Sequence, residues 1–132
     1  MNYWLLKTEP ETYSWSQLQK DGRTEWTGVR SYEARNNMKK MSVGDLVFVY
    51  HSGKEKQIVG VGKVIAFAHP DSTDDTGVWE CVDIAPVEEL KKTVSLTEVK
   101  YISVCHSMVL LKKSRLSVQP VTKKEWEAIV NF

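Results

Sequence analysis

The segment from Trp26 to Asn36 combines residue types that bind a planar ligand. It sets an aromatic ring, a glycine turn, two arginines and an amide together at the start of a predicted helix. Aromatic faces stack on nucleobases with about 1–3 kcal/mol per base, and amide groups hydrogen-bond the edge of a base. Arginine side chains hold flanking phosphates. The segment therefore suits a base that has been turned out of its helix.

Tryptophan and tyrosine are dense throughout the first fifty residues, where basic residues are interleaved with them. Small domains also use these rings as bulky members of the core, and this use accounts for about half of them. The aromatic residues are Tyr3, Trp4, Tyr13, Trp15, Trp26, Tyr32 and Tyr50. The basic residues are Lys7, Arg23, Arg30, Arg35, Lys39 and Lys40.

Two short motifs place a nucleophile beside a base, His51-Ser52 and Cys105-His106-Ser107. Sequence neighbours on a strand point to opposite faces, whereas a catalytic pair needs an approach of about 3 Å and a third group that orients the base. Cys105 is more typical of a small core residue. We expect a binding module and no enzyme. The alternative is a small enzyme acting on modified nucleotides through His51, Cys105 or Asp71.

The chain carries no recognisable motif for a cofactor or a metal. Gly60-Val61-Gly62 begins a dinucleotide fingerprint, but Ile65 stands where the third glycine belongs, and strand residues follow where a helix must begin. No phosphate loop is present, and the three histidines lack the cysteine spacing of a zinc site. We expect neither a cofactor nor a metal.

Length and charge describe one near-neutral domain. The chain has 132 residues, enough to bury a core without disulfides, and we expect a single domain over residues 1–132. The formal net charge is +1, so contacts with a polyanion must come from a local patch. Extruding a base costs free energy, and one good stack together with hydrogen bonds to the base edge can offset that cost. A large basic surface is therefore not required.

No stretch of the sequence indicates a membrane span or an export signal. The longest uncharged apolar run, Leu46 to Tyr50, is far shorter than the roughly 20 residues of a spanning helix. Residues 1–10 lack the basic start and cleavage site of a signal peptide. Cys81 and Cys105 are expected to be reduced structural thiols. We expect a monomer in the cytoplasm, or in the nucleus of a eukaryote.

The first half of the chain predicts two helices between strands. Tyr3 to Lys7 is an aromatic and aliphatic strand. Ser14 begins a capping pattern with Gln17, which predicts a short helix that ends near Lys20. A second helix is predicted over Tyr32 to Met41, with Ser31 as its N-cap.

A hairpin is predicted in the middle of the chain, from Leu46–Tyr50 and Ile58–Ala68, which lie on either side of a charged loop. Gly60 and Gly62 share one face of the second strand and permit a bend or a close approach. A polar loop over His69 to Gly77 follows them.

The remaining elements are two strands, over Val78–Pro86 and Leu116–Val121, and two helices that begin with capping boxes. The first capping box spans Ser95 to Glu98. The second spans Thr122 to Glu125 and precedes an apolar helix face of Trp126, Ile129 and Val130. Together these elements predict an α+β domain, a curved sheet or small β-barrel of five or six strands with peripheral short helices.

Four motifs occur in an order that resembles the EVE domain of the PUA-like superfamily. They are Trp4 through Pro10, Trp26 through Asn36, Gly44-Asp45 with Tyr50-His51-Ser52, and Leu116 through Val121. The resemblance runs from end to end and implies a PUA-like β-barrel with peripheral helices. It also implies a pocket for a modified base, chiefly modified cytosine such as 5-methylcytosine in DNA. RNA is the alternative partner.

By motif position, the resemblance implies twelve ligand-binding residues: Trp4, Lys7, Trp26, Val29, Arg30, Ser31, Tyr32, Arg35, Asn36, Tyr50, His51 and Ser52. We expect Trp26 and Tyr32 to form the walls of the pocket. We expect Arg30 and Arg35 either to bind phosphate or to form ion pairs within the fold. Ser31, Asn36 and Ser52 are expected to read the base edge. His51 either bonds the ligand or is satisfied within the fold. An ion pair between Lys7 and Glu9 would contribute little stability.

Two positions depart from the family pattern. Position 31 is Ser where many members have Asn, and position 33 is Glu where Gln is usual. A carboxylate at position 33 repels phosphate. Glu33 is therefore expected to face away from the phosphates of the nucleic acid or to accept a hydrogen bond from the exocyclic amine of a base.

Overall fold

The computed structural model describes all residues from 1 to 132. Its strands are β1 (Tyr3–Thr8), β2 (Thr24–Glu25), β3 (Leu46–His51), β4 (Gln57–Pro70), β5 (Glu80–Ser95) and β6 (Val118–Val121). Its helices are α1 (Trp15–Asp21), α2 (Tyr32–Lys39), α3 (Leu96–Lys100), α4 (Val109–Lys112) and α5 (Lys123–Val130). A single 3-10 turn spans Ser103–Cys105.

All six strands form one mixed sheet in the order β2-β5-β4-β3-β1-β6. The pair β1 and β3 is parallel, and the other neighbours are antiparallel. Repeated register shifts between the long strands β4 and β5 bend the sheet, because each bulge increases the local twist. The predicted curved sheet with peripheral helices is confirmed. The sheet stays open and does not close into a barrel, with β2 and β6 at its edges.

The sheet is covered on both faces, because side chains alternate along each buried strand. On β1, Trp4 and Leu6 join the cluster beneath α1 and α2, which we call the first face. Leu5 between them joins the cluster beneath α3, α4 and α5, the second face. Phe48 of β3 belongs to the second face and stacks on Trp126 of α5, with ring centroids 3.7 Å apart.

The predicted helix starts are confirmed, with one difference at α1. Ser95 and Thr122 both form complete capping boxes. Ser14 accepts from the amide of Gln17 as predicted, but the Gln17 side chain donates to Asp21 and does not reach back to the cap. The prediction that Val130 lies on the buried face of α5 is wrong, because that side chain is 45% exposed.

The predicted close approach at Gly60 is confirmed. A Cβ added there would lie 2.5 Å from the Trp15 ring, so only glycine lets α1 rest directly on β4. Gly62 lies on the same face, where an added Cβ would meet Ile84 at 2.9 Å.

β5 continues to Ser95, well beyond the predicted end at Pro86. Its second half is rich in exposed Glu and Lys, which have low strand propensity, and backbone pairing with β4 overrides that preference. The two-residue strand β2 and the short helix α4 carry no periodic signal and were not predicted. No helix is long and apolar enough to cross a membrane.

Candidate functional site

A cavity of about 370 Å³ opens on the first face, between the end of β1, the approach to α1 and the turn that follows β2. Its volume is within the range of about 300–1,000 Å³ for small-ligand sites. The lining residues are Lys7, Thr8, Thr12, Tyr13, Thr24, Glu25, Trp26, Thr27, Gly28, Val29, Arg30 and Ser117. We call this space the Trp26 cavity. Larger cavities lie elsewhere on the surface, but they do not include any residue of the Trp26 to Asn36 segment.

Trp26 forms the apolar wall of the cavity. Its backbone N–H donates to Val82 O at 2.8 Å, and only 7% of the residue is exposed. The Tyr13 ring meets the indole edge-on, with centroids 6.1 Å apart and an interplanar angle of 87°. Val29, which is also buried, lies on the same wall. A planar apolar ligand therefore meets a wall whose position is fixed by the sheet.

Asp71 holds the turn that carries Trp26. Its side chain is fully buried and accepts from the Gly28 N–H at 2.9 Å and from Arg30 Nη1 at 3.1 Å. Its other oxygen accepts from the N–H and hydroxyl of Thr73. Burial raises the pKa of Asp71, but the hydrogen bonds from Thr73, Gly28 and Arg30 outweigh burial and lower it to about 2. Gly28 has a positive φ of 86°, which glycine adopts without steric cost and which shapes this turn.

The polar lining of the cavity consists mainly of hydroxyl groups, supplied by Thr12, Thr27 and Ser117 among others. Lys7 also lines it, and its Nζ donates to Ser114 O at 2.7 Å, so the expected pair with Glu9 does not form. Burial lowers the pKa of Lys7. Glu25 is the one acidic residue of the lining, and it is exposed. Hydroxyl and carboxylate groups are suited to the edge of a base.

An aromatic platform lies beside the cavity. Tyr32 is 62% exposed and lies against Trp79, with ring centroids 4.9 Å apart. The Arg35 guanidinium is 5.0 Å from the Tyr32 centroid, and that of Arg30 is 5.8 Å from the Trp79 centroid. Arg30 also lines the Trp26 cavity, so it joins the platform to it. Tyr32 thus forms part of this outer surface and does not line the cavity.

A second basic surface lies on the other side of the cavity, next to Ser117. It is formed by Lys112, Lys113 and Arg115, which are grouped around the start of α2. Lys113 pairs with Glu33 at 2.6 Å, and both side chains are about half exposed. Glu33 thus points to this basic group, away from the cavity. A chain that is nearly neutral overall therefore has arginine or lysine on both sides of one cavity.

Three other sequence-predicted residues, Trp4, Tyr50 and His51, are buried in contacts within the fold. Trp4 donates from Nε1 to Asp45 at 3.0 Å. Tyr50 packs on the second face, where burial raises its pKa. The His51 Nε2 accepts from the Trp15 N–H at 3.0 Å, and its Nδ1 lies 3.0 Å from Glu55. These side chains position β1, β3 and α1.

The structure places Ser31, Asn36 and Ser52 outside the cavity lining. Ser31 caps α2 by accepting from the Ala34 N–H at 3.4 Å. Asn36 is exposed and accepts from Arg35. Of the twelve predicted residues, the cavity therefore brings together Lys7, Trp26, Val29 and Arg30, while Tyr32, Arg35 and Asn36 lie beside the platform.

Both cysteine thiols are held in their protonated form by burial. Cys105 is buried on the second face, opposite the Trp26 cavity, and burial raises the pKa of its thiol to about 11. Burial and nearby carboxylates raise the pKa of Cys81 to about 12. Both thiols are protonated at neutral pH. His51, the suggested base, is held between α1 and Glu55.

Sequence reasoning missed several site residues that single motifs do not reveal. Trp79 follows a loop rich in Asp and Thr, where a lone tryptophan is the only available signal. The cavity threonines outside the four motifs, Thr12 and Thr24, carry no signal, because small hydroxyl residues are common in loops. The run Lys112-Lys113-Ser114-Arg115 was a visible basic cluster.

The chain is similar to known proteins over almost its whole length. A family model described as the EVE domain matches residues 2–132. Thymocyte nuclear protein 1 of Rattus norvegicus is 35% identical over 165 residues, which covers 99% of this chain and 73% of the rat protein. A crystal structure of a protein from Agrobacterium tumefaciens matches with a TM-score of 0.97 at 45% identity, covering 99% of this chain and 92% of that one.

A further match is the crystal structure of human THYN1 protein in complex with 5-methylcytosine containing DNA. Its TM-score is 0.92 at 31% identity, covering 99% of this chain and 96% of the human one. These matches confirm the resemblance that the sequence motifs indicated. The chain belongs to the EVE domain family.

Proposed function

We propose that this chain binds DNA that contains a modified cytosine, and that it holds the modified base in the Trp26 cavity. The observation that carries the proposal is the cavity itself, which has an aromatic wall, hydroxyl groups and basic surfaces on two sides. The DNA complex of the human relative supports modified cytosine as the base.

The cavity wall suits a base that carries an added methyl group. Trp26 and Val29 offer apolar surface to the ring and its methyl, and Thr12 and Thr27 offer hydroxyl groups to its edge. Glu25 supplies an acceptor, the group that the exocyclic amine of cytosine requires. An extruded base thus finds partners for both its face and its edge.

The basic surfaces suit the backbone on either side of the extruded base. Arg30 and Arg35 lie on one side of the cavity, and Lys112 and Arg115 lie on the other. Phosphate contacts of this kind position a protein on DNA without reading sequence. The proposed activity is binding. Such a reader acts where DNA is accessible, in the cytoplasm of a bacterium or the nucleus of a eukaryote.

The direct test is the affinity of the purified chain for matched oligonucleotides, measured by fluorescence anisotropy. The probes are one duplex with a single 5-methylcytosine, the same duplex unmodified or hydroxymethylated, and an RNA of equal sequence. Burial of one methyl group contributes about 0.8 kcal/mol, so we expect a preference of about fourfold or more for the methylated duplex. Equal affinity for methylated and unmodified DNA would contradict the proposal. Tighter binding to RNA would favour RNA as the natural partner.

Removal of the outer ring in Tyr32→Ala is expected to weaken binding without changing the preference for methylated DNA. The exposed platform stacks on a neighbouring base, and such a stack contributes about 1–3 kcal/mol, or about fivefold or more in Kd. The matched control is Tyr101→Ala, which removes a tyrosine that is 83% exposed elsewhere. Equal losses in the two variants would show that the platform has no specific role.

A further inference from the structure

Four side chains with metal-ligating atoms meet beside the Trp26 cavity. They are Glu25 of β2, His69 of β4, and Cys81 and Asp83 of β5. Their ligand atoms all lie within 4.8 Å of one another. The set combines one thiol, one imidazole and two carboxylates, and three of the four side chains are buried or half-buried.

The pairing of the strands explains why these residues meet. Cys81 is the register partner of His69, and Asp83 is the register partner of Glu25. Cys81 and Asp83 are two residues apart on β5, so their side chains project from the same face of the strand. Three neighbouring strands therefore hold the four groups on one patch of sheet. Rigid placement of this kind is what a preformed metal site requires.

The distances are close to those of a tetrahedral centre. The Cys81 Sγ lies 4.0 Å from both His69 Nε2 and Glu25 Oε1, and Nε2 lies 2.7 Å from Asp83 Oδ1. Zinc–ligand bonds of about 2.0–2.3 Å at tetrahedral angles require ligand atoms roughly 3.3–3.6 Å apart. An ion between these atoms would draw the sulfur inward and separate the imidazole from Asp83, each by about half an ångström.

The surrounding contacts also match those of metal ligands. The His69 Nδ1 lies 3.1 Å from Pro70 O, which orients the ring so that Nε2 faces the other three groups. Arg23 lies 3.1 Å from the outer oxygen of Asp83 and leaves Oδ1 facing the cluster. Metal-binding histidines commonly donate their second nitrogen to a carbonyl or carboxylate in this way.

We propose that Glu25, His69, Cys81 and Asp83 bind one divalent cation, with Zn²⁺ as the best match. One sulfur, one nitrogen and two oxygens in near-tetrahedral positions suit zinc, whereas calcium and magnesium prefer oxygen alone. Binding releases the thiol proton of Cys81 and the Nε2 proton of His69 to solvent. Glu25 is the exposed ligand and also lines the Trp26 cavity, so it is the ligand most readily exchanged.

This inference reverses the expectation of no metal, which rested on spacing along the chain. Positions 25, 69, 81 and 83 fit no linear zinc motif, because the ligands come from three strands. The inference does not rest on the proposed function, and its test involves no DNA.

The test is titration of the full, chelator-treated chain with Co²⁺, followed by displacement with Zn²⁺. We expect one equivalent to produce visible bands of tetrahedral cobalt and a near-ultraviolet thiolate band, and Zn²⁺ to remove both. Cys81→Ser should lose the thiolate band, whereas Cys105→Ser, which changes the other buried cysteine, should keep it. Absence of the band in the unchanged chain, or its persistence in Cys81→Ser, would overturn the proposal.

A second variant pair keeps the test decisive if Cys81→Ser fails to fold. His69→Gln retains the thiol and is expected to weaken Zn²⁺ binding about tenfold or more, while His106→Gln, at an exposed histidine, leaves it unchanged. Zinc should also raise the melting temperature of the unchanged chain and of His106→Gln, but not of His69→Gln. Equal zinc affinity in both variants would contradict the assignment.

Discussion

The variant Trp26→Leu is expected to lose the preference for methylated DNA and to bind about 5- to 100-fold more weakly than the unchanged chain. Leucine keeps an apolar side chain in the wall but removes the aromatic face, whose stacking contributes about 1–3 kcal/mol per base. Trp26→Phe, which retains a ring, should keep most of the preference. Anisotropy titrations with the methylated and unmodified duplexes measure both affinity and preference.

The control for Trp26→Leu is Trp126→Leu, because both tryptophans are 7% exposed and belong to opposite faces of the sheet. Both variants should lower the free energy of unfolding, but Trp126→Leu should keep the binding preference. Trp26→Ala is a poorer test, since replacing a buried tryptophan by alanine costs about 3–5 kcal/mol and endangers the fold itself. If Trp26→Leu binds like the unchanged chain, the Trp26 cavity is not the base site.

Much of the fold was predictable because local signals and tertiary contacts agree. Ser95 and Thr122 form the predicted capping boxes, and the hairpin of β3 and β4 has the predicted pairing. The second half of β5 was not predictable, because its exposed glutamates and lysines favour other states and only pairing with β4 makes it a strand. Sequence patterns indicate which side chains are buried. They do not reveal an exposed strand that is held only by backbone hydrogen bonds.

The candidate site was predictable in its centre but not at its rim. Trp26, Val29 and Arg30 belong to one short segment, so a local pattern of residue types was enough to find them. Trp79 and Arg115 come from distant parts of the chain to two different surfaces beside the cavity, and no spacing rule relates them to Trp26. The resemblance also gave Trp4 and His51 a role in ligand binding. In the structure the Trp4 indole N–H donates to Asp45, and the His51 ring nitrogens contact Trp15 and Glu55.

The tryptophans of this chain occupy different kinds of position in the fold. Trp4 and Trp15 are core members, Trp26 is both core and cavity wall, and only Trp79 stacks on an exposed tyrosine. Part of the basic charge near the cavity is paired within the fold, since Arg30 contacts Asp71 and Lys113 contacts Glu33.

The variant Asp71→Asn is expected to lower the free energy of unfolding by about 2–3 kcal/mol at neutral pH. The buried carboxylate accepts from the Gly28 N–H, from Arg30 and from Thr73, and hydrogen bonds to a charged group contribute about 1.5–3 kcal/mol. An asparagine places an NH₂ donor against one set of these donors. Because Asp71 holds the Trp26 turn, the preference for methylated DNA should also weaken. Urea unfolding measures the first effect and anisotropy the second.

The pH dependence of this loss identifies its cause. The pKa of Asp71 is about 2 in the folded chain, below its ordinary value, so its ionisation stabilises the fold above about pH 4, and that stabilisation is lost as the pH falls toward 2. The difference between the unchanged chain and Asp71→Asn should therefore be constant from about pH 7 to pH 4 and shrink below it. Asp75→Asn, at an exposed aspartate in the loop that follows Asp71, should change stability by less than about 0.5 kcal/mol. A difference between the unchanged chain and Asp71→Asn that is unaffected by pH would show that shape, and not the charge of Asp71, holds the turn.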